Sequence, residues 1–467
     1  MIKDLLDYLE NKRILILGFG REGRTTYTFL RKYFEEKQLF IADKDITLLD
    51  NNLDLMEDMN LEVQIGEEYL NGIEEYDLII KAPGISFKGM DLSGIRDKIT
   101  SQLELFLEYI PCTTIGITGT KGKSTTSSLM YEVLKNNGKK TFLLGNIGNP
   151  IFNEIENIDN DTFVVIELSS HALQYIRKTV DVAILLNIHE EHLDHYNDYE
   201  EYIRAKLNIG KYQTKEDYFI INYDDEETVK RVLNNNDNNE KSEFNSNIKT
   251  VTLNDNNLID NYMDKDGNVY IEKELCTNKD DLLKKMNLKG IHNVNNIMFV
   301  LDVCKILKLD INKSLEAIYE FKPLEHRMEF VAKKDGVEYY NDSIATIPSS
   351  TINAIEAIGN ICTLIVGGKD RGINLEELFV YLENSTIENI ICLPKTGEFI
   401  AEYLNSKNID KNVVLVESLE EAVKISKKVT KKEMVCLMSP AASSYGYFKN
   451  FEERGRLFKK YVLDDNI

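Results

Sequence analysis

Short apolar runs rich in β-branched residues alternate with longer helical patterns along almost the whole chain of 467 residues. This alternation is the strongest constraint on the fold, because it predicts parallel strands joined by crossover helices. Pro111 and the pair Lys322-Pro323 separate three groups of strand-like runs. The stretch 233–262 is dense in Asn and Asp, which predicts a mobile surface excursion. We therefore predict an α/β protein with three domains, at 1–110, 111–322 and 323–467.

The charge balance narrows the classes of ligand. The formal net charge is −22, and such a field repels nucleic acid and anionic membranes. A phosphate-bearing ligand must therefore be held by local positive groups. No basic leader precedes an apolar stretch, and no run approaches the roughly 18 apolar residues of a membrane-spanning helix. The six cysteines are scattered without a C-x-x-C pair, which is typical of a reduced compartment. We expect a cytoplasmic protein with no nucleic-acid partner and no membrane span.

A glycine-rich segment at 116–126, GITGTKGKSTT, lies between a strand-like run and a helical pattern. Glycines let successive backbone N–H groups converge on phosphate oxygens, and the start of a helix adds a favourable field. Lys123 can reach the β and γ phosphates, and the Ser124 hydroxyl is a candidate Mg²⁺ ligand. The standard G-x-x-x-x-G-K-S pattern has glycine where this chain has Ile117. The segment predicts binding of nucleotide phosphates and leaves the reaction open.

Acidic and histidine side chains follow two further strand-like runs. Glu167 ends the run FVVIE, at the sheet edge where a carboxylate can bind Mg²⁺. A solvated acid at a strand end is the alternative. His189, His192 and His195 follow the run 182–188 without the zincin spacing and without cysteines. The edge of a Mg²⁺ site and an ordinary surface loop both fit these histidines.

Lys206 continues an apolar helical stripe formed by Tyr199, Tyr202 and Ile203. Asp198 stands where a helix cap is expected. A lysine on a buried stripe either extends its ammonium to solvent or has an altered charge state.

A second glycine motif, G-x-G-x-x-G at 18–23, lies between a strand-like run and a helix, and Asp43 ends the next run. NAD, a nucleotide-sugar and a purely structural turn all fit this motif. A nicotinamide-dependent oxidoreductase would leave Lys123, Glu167 and Lys206 without roles.

Taken together, these motifs resemble the Mur ligase family. The central motifs are the loop at 116–125, ELSSH at 167–171, NIHEEHLDH at 187–195, YIRAK ending at Lys206, HNVNN at 292–296 and HRME at 326–329. Four further segments are most similar to the glutamate-adding members, and they are GFGREG at 18–23, NDSIAT at 341–346, GGKDRG at 367–372 and SPAASSYGYFKNFEERG at 439–455. The resemblance covers all three predicted domains.

The resemblance implies Rossmann-like first and third domains around a central ATPase domain of the phosphate-loop type. It implies an ATP-dependent ligase that joins D-glutamate to UDP-N-acetylmuramoyl-L-alanine through an acyl phosphate, in peptidoglycan precursor synthesis. It also implies two Mg²⁺ sites, with Lys206 carrying a CO₂-derived carbamate, and we expect a monomer. Addition of L-glutamate or of another amino acid, and a regulator that binds nucleotide without catalysis, are the alternatives.

The resemblance also implies roles for individual residues. The catalytic residues are Lys123, Glu167, His192 and Lys206, and the last three bind metal together with Ser124. The ATP-binding residues are Gly119, Thr120, Lys121, Gly122, Lys123, Ser124, Thr125, Asn293, His326, Arg327 and Asp342. The residues around the UDP-linked substrate are Arg21, Glu22, Asp43, Gly84 and Asn146. The residues around the incoming glutamate are Thr346, Arg371, Ser444 and Phe451.

Three positions depart from the family pattern. Ile344 replaces the lysine of the motif usually written NDSKAT, and Arg371 stands where lysine is frequent. Ala172 stands where the glutamate-adding members often have glutamine. All three lie in segments expected near substrates, so they bear on individual contacts rather than on the reaction type.

Overall fold

The structure is a computed structural model that describes residues 2–191, 195–233, 243–288, 290–322, 325–370, 373–407 and 409–465. The chain divides into two compact units. The first consists of Met1–Met286 with Ile291–Phe321, and the second of Asn287–Gly290 with Lys322–Ile467. The first unit contains two separate sheets and the second contains one. The three domain boundaries remain a prediction.

The first sheet has five parallel strands in the order β3-β2-β1-β4-β5. The strands are β1 (Ile14–Leu17), β2 (Leu39–Asp43), β3 (Leu61–Ile65), β4 (Leu78–Lys81) and β5 (Ile99–Thr100). The helices are α1 (Ile2–Glu10), α2 (Arg21–Tyr33), α3 (Leu48–Asn51) and α4 (Gln102–Tyr109). The strand order reverses at β1, so the turn after β1 opens at the crevice where such sheets bind ligands. The apolar runs at 13–20, 38–43 and 77–84 predict β1, β2 and β4. The sequence misses β3, which is only partly buried, and β5, which has two residues.

The second sheet has nine strands in the order β14-β13-β12-β11-β10-β9-β6-β8-β7. The strands are β6 (Thr113–Thr118), β7 (Thr141–Gly145), β8 (Phe163–Glu167), β9 (Val182–Leu185), β10 (Tyr218–Asn222), β11 (Asn247–Thr252), β12 (Asn261–Met263), β13 (Asn268–Ile271) and β14 (Glu274–Asn278). The helices are α5 (Lys123–Asn136), α6 (Ile151–Glu154), α7 (Ser170–Leu173), α8 (Tyr199–Lys211), α9 (Glu226–Val232), α10 (Lys279–Lys285), α11 (Ile291–Ile306) and α12 (Ile311–Glu320). From β7 to β12 in this order, every neighbouring pair of strands is parallel. Strand β13 is antiparallel to both of its neighbours, β12 and β14.

Within the stretch 233–262, residues 247–252 and 261–263 form strands instead of the predicted surface excursion, and residues 234–242 lie outside the described residues. Strand β11 extends the sheet by pairing in parallel with β10. Phe244 packs against Phe219 with ring centroids 5.3 Å apart. The Asp224 carboxylate accepts hydrogen bonds from Leu253 N and Asn254 Nδ2. The Asn and Asp residues here form turns between short strands, which their side chains favour.

Among the residues that the structure describes, the sheet of the second unit has six strands in the order β15-β16-β20-β17-β18-β19, of which only β15 is antiparallel to its neighbour. The strands are β15 (Glu329–Lys334), β16 (Val337–Asn341), β17 (Ile361–Gly368), β18 (Asn389–Lys395), β19 (Asn412–Leu415) and β20 (Val435–Met438). The helices are α13 (Pro348–Ile358), α14 (Glu376–Asn384), α15 (Thr396–Asn405), α16 (Leu419–Val429) and α17 (Phe451–Leu463). Strand β17 is buried along its whole length, with one apolar core on each face of the sheet. Among the described residues, no helix is long and apolar enough to cross a membrane.

Candidate functional site

The phosphate loop connects the end of β6 to the start of α5. Its glycines Gly119 and Gly122 have φ angles of +155° and +87°, which side chains rarely adopt. A Cβ at Gly122 would lie 3.0 Å from Asn296 Oδ1. Asn296 in turn donates to the Asn293 side-chain oxygen at 3.2 Å. The predicted ATP residue Asn293, on α11, is therefore hydrogen-bonded to Asn296, which lies beside the loop at Gly122. The loop precedes a helix N-terminus, which favours an anion.

Ile117, the departure from the standard loop, belongs to strand β6. It is fully buried and is paired in register with Glu167 on β8 and Ile184 on β9. At the preceding residue, Gly116, an added Cβ would meet Val180 at 2.8 Å and Leu168 at 2.9 Å. The strand therefore requires glycine at 116 and accepts a large side chain at 117, while the tight turn begins at Gly119.

Two lysines converge on one carbonyl oxygen of the phosphate loop. Lys123 Nζ donates to Gly119 O at 2.8 Å and to Thr120 O at 2.9 Å. Lys206 Nζ donates to the same Gly119 oxygen at 2.8 Å, and its side chain is 2% exposed. Burial, and then the charge of Lys123, lower the pKa of Lys206 well below its ordinary value. Lys206 on the apolar stripe of α8 therefore points inward, and its burial favours the neutral amine.

Glu167 ends β8 and is 1% exposed. Its Oε1 accepts a hydrogen bond from Asn146 Nδ2 at 2.8 Å. Its Oε2 is buried and has no hydrogen-bond partner within the described part of the chain. A buried carboxylate oxygen is costly without a donor or a cation. A carboxylate oxygen in this state is a ligand that suits a divalent cation. The buried Ser124 lies at the start of α5.

A pocket in the first unit is lined by residues that follow strands of the first sheet and by residues at the carboxyl ends of strands of the second sheet. Its polar lining includes Glu22, Lys81, Asn146, Glu167 and His171. The hydrogen bond between Asn146 and Glu167 therefore brings an expected substrate residue and an expected metal ligand together. Lys81 and His171 were not predicted as site residues. The signal for Lys81 was a single lysine inside the apolar run DLIIKAPG.

The remaining residues predicted around the UDP-linked substrate border the first sheet. Asp43 ends β2 and accepts from Phe19 N at 2.6 Å and from Asp45 N at 2.8 Å, so it ties the glycine turn to the β2 loop. Arg21 is exposed and donates through Nη2 to Gly148 O at 2.9 Å. Gly84 is exposed just beyond β4.

In the second unit, predicted ATP residues surround the end of β16. His326 is 2% exposed with a φ of +67°, and its Nδ1 lies 2.8 Å from Asn341 Nδ2. Asp342 accepts from Met328 N at 3.1 Å and from Ser439 Oγ at 2.7 Å. Burial raises the pKa of Asp342 to about 7. Arg327 lies between His326 and Met328, in the segment that these contacts hold in place.

A buried arginine links the segments that carry the predicted glutamate residues. Arg454 Nε and Nη2 donate to Ser343 Oγ and O at 3.0 and 2.8 Å, and Nη1 donates to Ala442 O at 3.1 Å. Ser343 Oγ also donates to Phe451 O at 2.8 Å. Thr346 and Ser444 lie on the two segments that Arg454 joins, and sequence reasoning did not single out Arg454.

The substituted family positions have structural roles as well. Ile344 N donates to His326 O at 3.1 Å, a backbone contact that needs no particular side chain. Ala172 N donates to Ser169 Oγ at 3.1 Å in the cap of α7. His192 and Arg371 lie outside the described residues, and their roles remain predictions.

The parallel sheet, the glycine turn and the phosphate loop define a nucleotide-binding α/β protein of the phosphate-loop class. The family description "Mur ligase middle domain" matches residues 117–304, and "Mur ligase, glutamate ligase domain" matches residues 326–441. The chain belongs to the Mur ligase family. The predictions of this family, of the α/β fold and of an ATP-dependent ligase are therefore confirmed, and the oxidoreductase alternative is set aside.

Individual relatives are similar along nearly the full length. UDP-N-acetylmuramoylalanine–D-glutamate ligase of Clostridium acetobutylicum is 35% identical over 469 residues, covering 98% of each chain. The same-named enzyme of Clostridium kluyveri is 33% identical over 470 residues, covering 99% of this chain and 98% of its own.

Solved structures share the fold. UDP-N-acetylmuramate-alanine ligase MurC from Thermotoga maritima has a TM-score of 0.59 and 18% identity, covering 96% of this chain and 99% of its own. The MurF ligase of the same organism, solved in complex with ADP, has a TM-score of 0.56 and 18% identity, covering 97% of this chain and 96% of its own.

Proposed function

We propose that the protein joins D-glutamate to UDP-N-acetylmuramoyl-L-alanine with ATP, in the cytoplasmic synthesis of peptidoglycan precursors. One structural observation carries the proposal. The Asn146 amide donates to Glu167, so an expected substrate residue shares a pocket with a buried carboxylate next to the strand of the phosphate loop. The relatives that bear this enzyme's name at 33–35% identity support the choice of substrates.

The first step transfers the γ-phosphoryl group of ATP. A carboxylate oxygen of the L-alanyl group attacks the γ-phosphorus, the bond to the β-phosphate oxygen breaks, and an acyl phosphate and ADP result. Phosphoryl transfer depends on positioning and charge neutralisation. Lys123 and the backbone amides of Gly122 to Thr125 supply these at the phosphates, because the amides of Thr120 and Lys121 already donate to Asn187. We assign Asn293, His326, Arg327 and Asp342 to the remaining ATP contacts.

The second step forms the amide. The glutamate nitrogen attacks the acyl carbon, a tetrahedral intermediate forms, phosphate leaves with the bonding electrons of the C–O bond, and the nitrogen loses a proton. We assign Thr346, Arg371, Ser444 and Phe451 to the glutamate, and Arg21, Glu22, Asp43, Gly84 and Asn146 to the UDP-linked substrate.

Mg²⁺, when bound, would neutralise the phosphate charge as it redistributes. We assign Ser124 and Glu167 to one ion, because Glu167 Oε2 is buried without a hydrogen-bond partner in the described residues. We assign His192 and a carbamate on Lys206 to a second ion. The inward position of Lys206 and its lowered pKa favour the neutral amine that reaction with CO₂ requires.

The test measures phosphate release from ATP with UDP-N-acetylmuramoyl-L-alanine and one amino acid at a time, namely D-glutamate, L-glutamate, lysine or diaminopimelate. We expect release with D-glutamate only. Release with L-glutamate would select the alternative stereochemistry, and release with lysine or diaminopimelate another ligase of the family. No release with either glutamate enantiomer would overturn the assignment.

The carbamate is tested with Lys206→Ala. We expect this variant to lose ligase activity and to regain part of it with added short carboxylates, which can replace the missing carbamate oxygens. Lys211→Ala, on the same helix but paired with Glu243, is the matched control and should stay active. A mass loss of the native protein on acidification is an independent readout. Unchanged activity of Lys206→Ala would contradict the carbamate. Sedimentation will test the expected monomer.

A further inference from the structure

A buried lysine faces the substrate pocket without a contacting carboxylate. Lys81 ends β4, is 4% exposed and lines the pocket that also contains Glu167. Its Nζ donates to the carbonyl oxygens of Ala82 at 3.2 Å and Pro83 at 3.3 Å. Within the described ranges, no carboxylate oxygen lies within 4.0 Å of this nitrogen. Its Nζ also lies 5.4 Å from the centroid of the Tyr175 ring, a cation–π contact. An ammonium has three donors, so one donor remains for another partner.

Glu22 supplies a partial compensating charge from a greater distance, because burial raises the pKa of its carboxyl to about 7. It lies in the first turn of α2 on the wall of the same pocket. Burial lowers the pKa of Lys81 to about 7, and the charge of Glu22 opposes this shift. Gln102 Nε2 donates to the Glu22 carbonyl at 2.8 Å and so holds this turn. The pair is close enough to interact electrostatically, but it leaves Lys81 open to a ligand.

The remainder of the pocket strengthens any charge interaction at Lys81. Its lining includes the apolar side chains Ile99, Leu103, Ile151 and Ile166, all of which are buried. An apolar surrounding lowers the local dielectric constant, so a lysine and an anion attract each other more strongly than in water. A buried ammonium without a contacting carboxylate is correspondingly unfavourable until an anion reaches it.

We propose that Lys81 binds an anionic group of the UDP-linked substrate and thereby sets the affinity for that substrate. The inference rests on the proposed function. The anion is a phosphate oxygen of the diphosphate or the carboxylate of the muramoyl-L-alanine arm, and lysine binds both as a compact point charge. Lys81 positions the substrate and takes no part in proton transfer.

The test compares wild-type protein with Lys81→Met, which keeps the apolar stem and removes the charge. Calorimetric titration measures the Kd of UDP and of UDP-N-acetylmuramoyl-L-alanine. Steady-state assays measure the KM for each of the three substrates. Lys3→Met removes one exposed lysine from α1 and is the matched control. We expect Lys81→Met to weaken the UDP-linked substrate about tenfold or more, while the KM values for ATP and D-glutamate change less than about twofold.

The two ligands distinguish the source of the anion. If UDP loses affinity by the same factor, Lys81 binds the diphosphate, and if only the complete substrate loses affinity, Lys81 binds the carboxylate. Both results support the inference. Wild-type affinity of Lys81→Met for both ligands would overturn it. Should Lys81→Met not fold, Lys81→Gln keeps a donor for the Ala82 and Pro83 carbonyls and is titrated in its place. The UDP titration needs no turnover, whereas failure of the proposed function would appear as absent phosphate release by wild-type protein.

Discussion

Replacing Ile117 by glycine restores the standard spelling of the phosphate loop, yet we expect it to destabilise the protein without improving nucleotide binding. Ile117 is fully buried in β6, and its carbonyl oxygen accepts from Leu168 N at 2.9 Å. The left-handed residues that shape the loop are Gly119 and Gly122. Glycine at 117 therefore removes a core side chain and leaves the loop that faces the phosphates unchanged.

The magnitude follows from burial. Truncating a fully buried isoleucine to alanine costs about 2–5 kcal/mol, and glycine in a strand costs about 0.5–1 kcal/mol more than alanine. A second substitution at the neighbouring Gly116 cannot compensate for the lost side chain, because a Cβ there would lie 2.8 Å from Val180. We therefore expect Ile117→Gly to lower the free energy of unfolding by about 2.5–6 kcal/mol.

Chemical denaturation followed by far-UV circular dichroism measures this change, because the chain has no tryptophan for fluorescence. Ile117→Val is the control, and it should cost only about 0.5–1.5 kcal/mol. Calorimetric titration with ADP, below the unfolding transition, should give the wild-type Kd for both variants. A stability loss below about 1 kcal/mol in Ile117→Gly, or tighter ADP binding, would refute the placement of residue 117 in the strand.

Three further predictions concern the second unit. Gly455→Ala should gain about 1 kcal/mol of helix propensity but lower the Tm, because the new Cβ would lie 2.2 Å from His326 Nδ1; a raised Tm would contradict this. Burial raises the pKa of Asp342 from 3.8 to about 7, so the native state keeps a proton that the unfolded state loses. The contribution of protonated Asp342 to the free energy of unfolding should therefore be fully present below about pH 4. It should fall by up to about 1.4 kcal/mol per pH unit as the pH rises to about 7. Urea unfolding at pH 5 and pH 8 should show a larger decline in wild type than in Asp342→Asn, which keeps the contributions of the other buried carboxyls Glu22 and Asp302. Equal pH dependence of the two proteins would exclude the role of Asp342. Arg454→Lys cannot keep all three hydrogen bonds to Ser343 and Ala442 and should raise the KM for D-glutamate about tenfold; an equal rise in the KM for UDP-N-acetylmuramoyl-L-alanine would argue against a local effect.

Much of the site was predictable because its signals are local in the chain. The loop at 116–126 combines a strand, glycines and a helix start within a few residues. The stripe that carries Lys206 follows helical periodicity, and the structure places that lysine inward. The ligase family followed from motifs that keep their order along the chain. The roles of His192 and Arg371 rest on the resemblance alone and remain predictions.

Other features depend on contacts that no local pattern contains. Asparagine-rich composition indicated an excursion at 233–262, but β11 gains its stability by pairing with β10. Arg454 looks like an ordinary helix residue until its three hydrogen bonds to distant segments are known.

Local sequence patterns were enough to predict the class of fold, the phosphate loop and the family, because hydrophobic periodicity and turn residues act over short stretches of chain. Long-range packing places Ile117 in a strand and brings Lys206 and Lys123 to the same Gly119 oxygen. It also decided that Lys81 faces the pocket of Glu167. The physical reason is that burial and electrostatic pairing depend on which distant segments meet, and only the packed sheets bring those segments together.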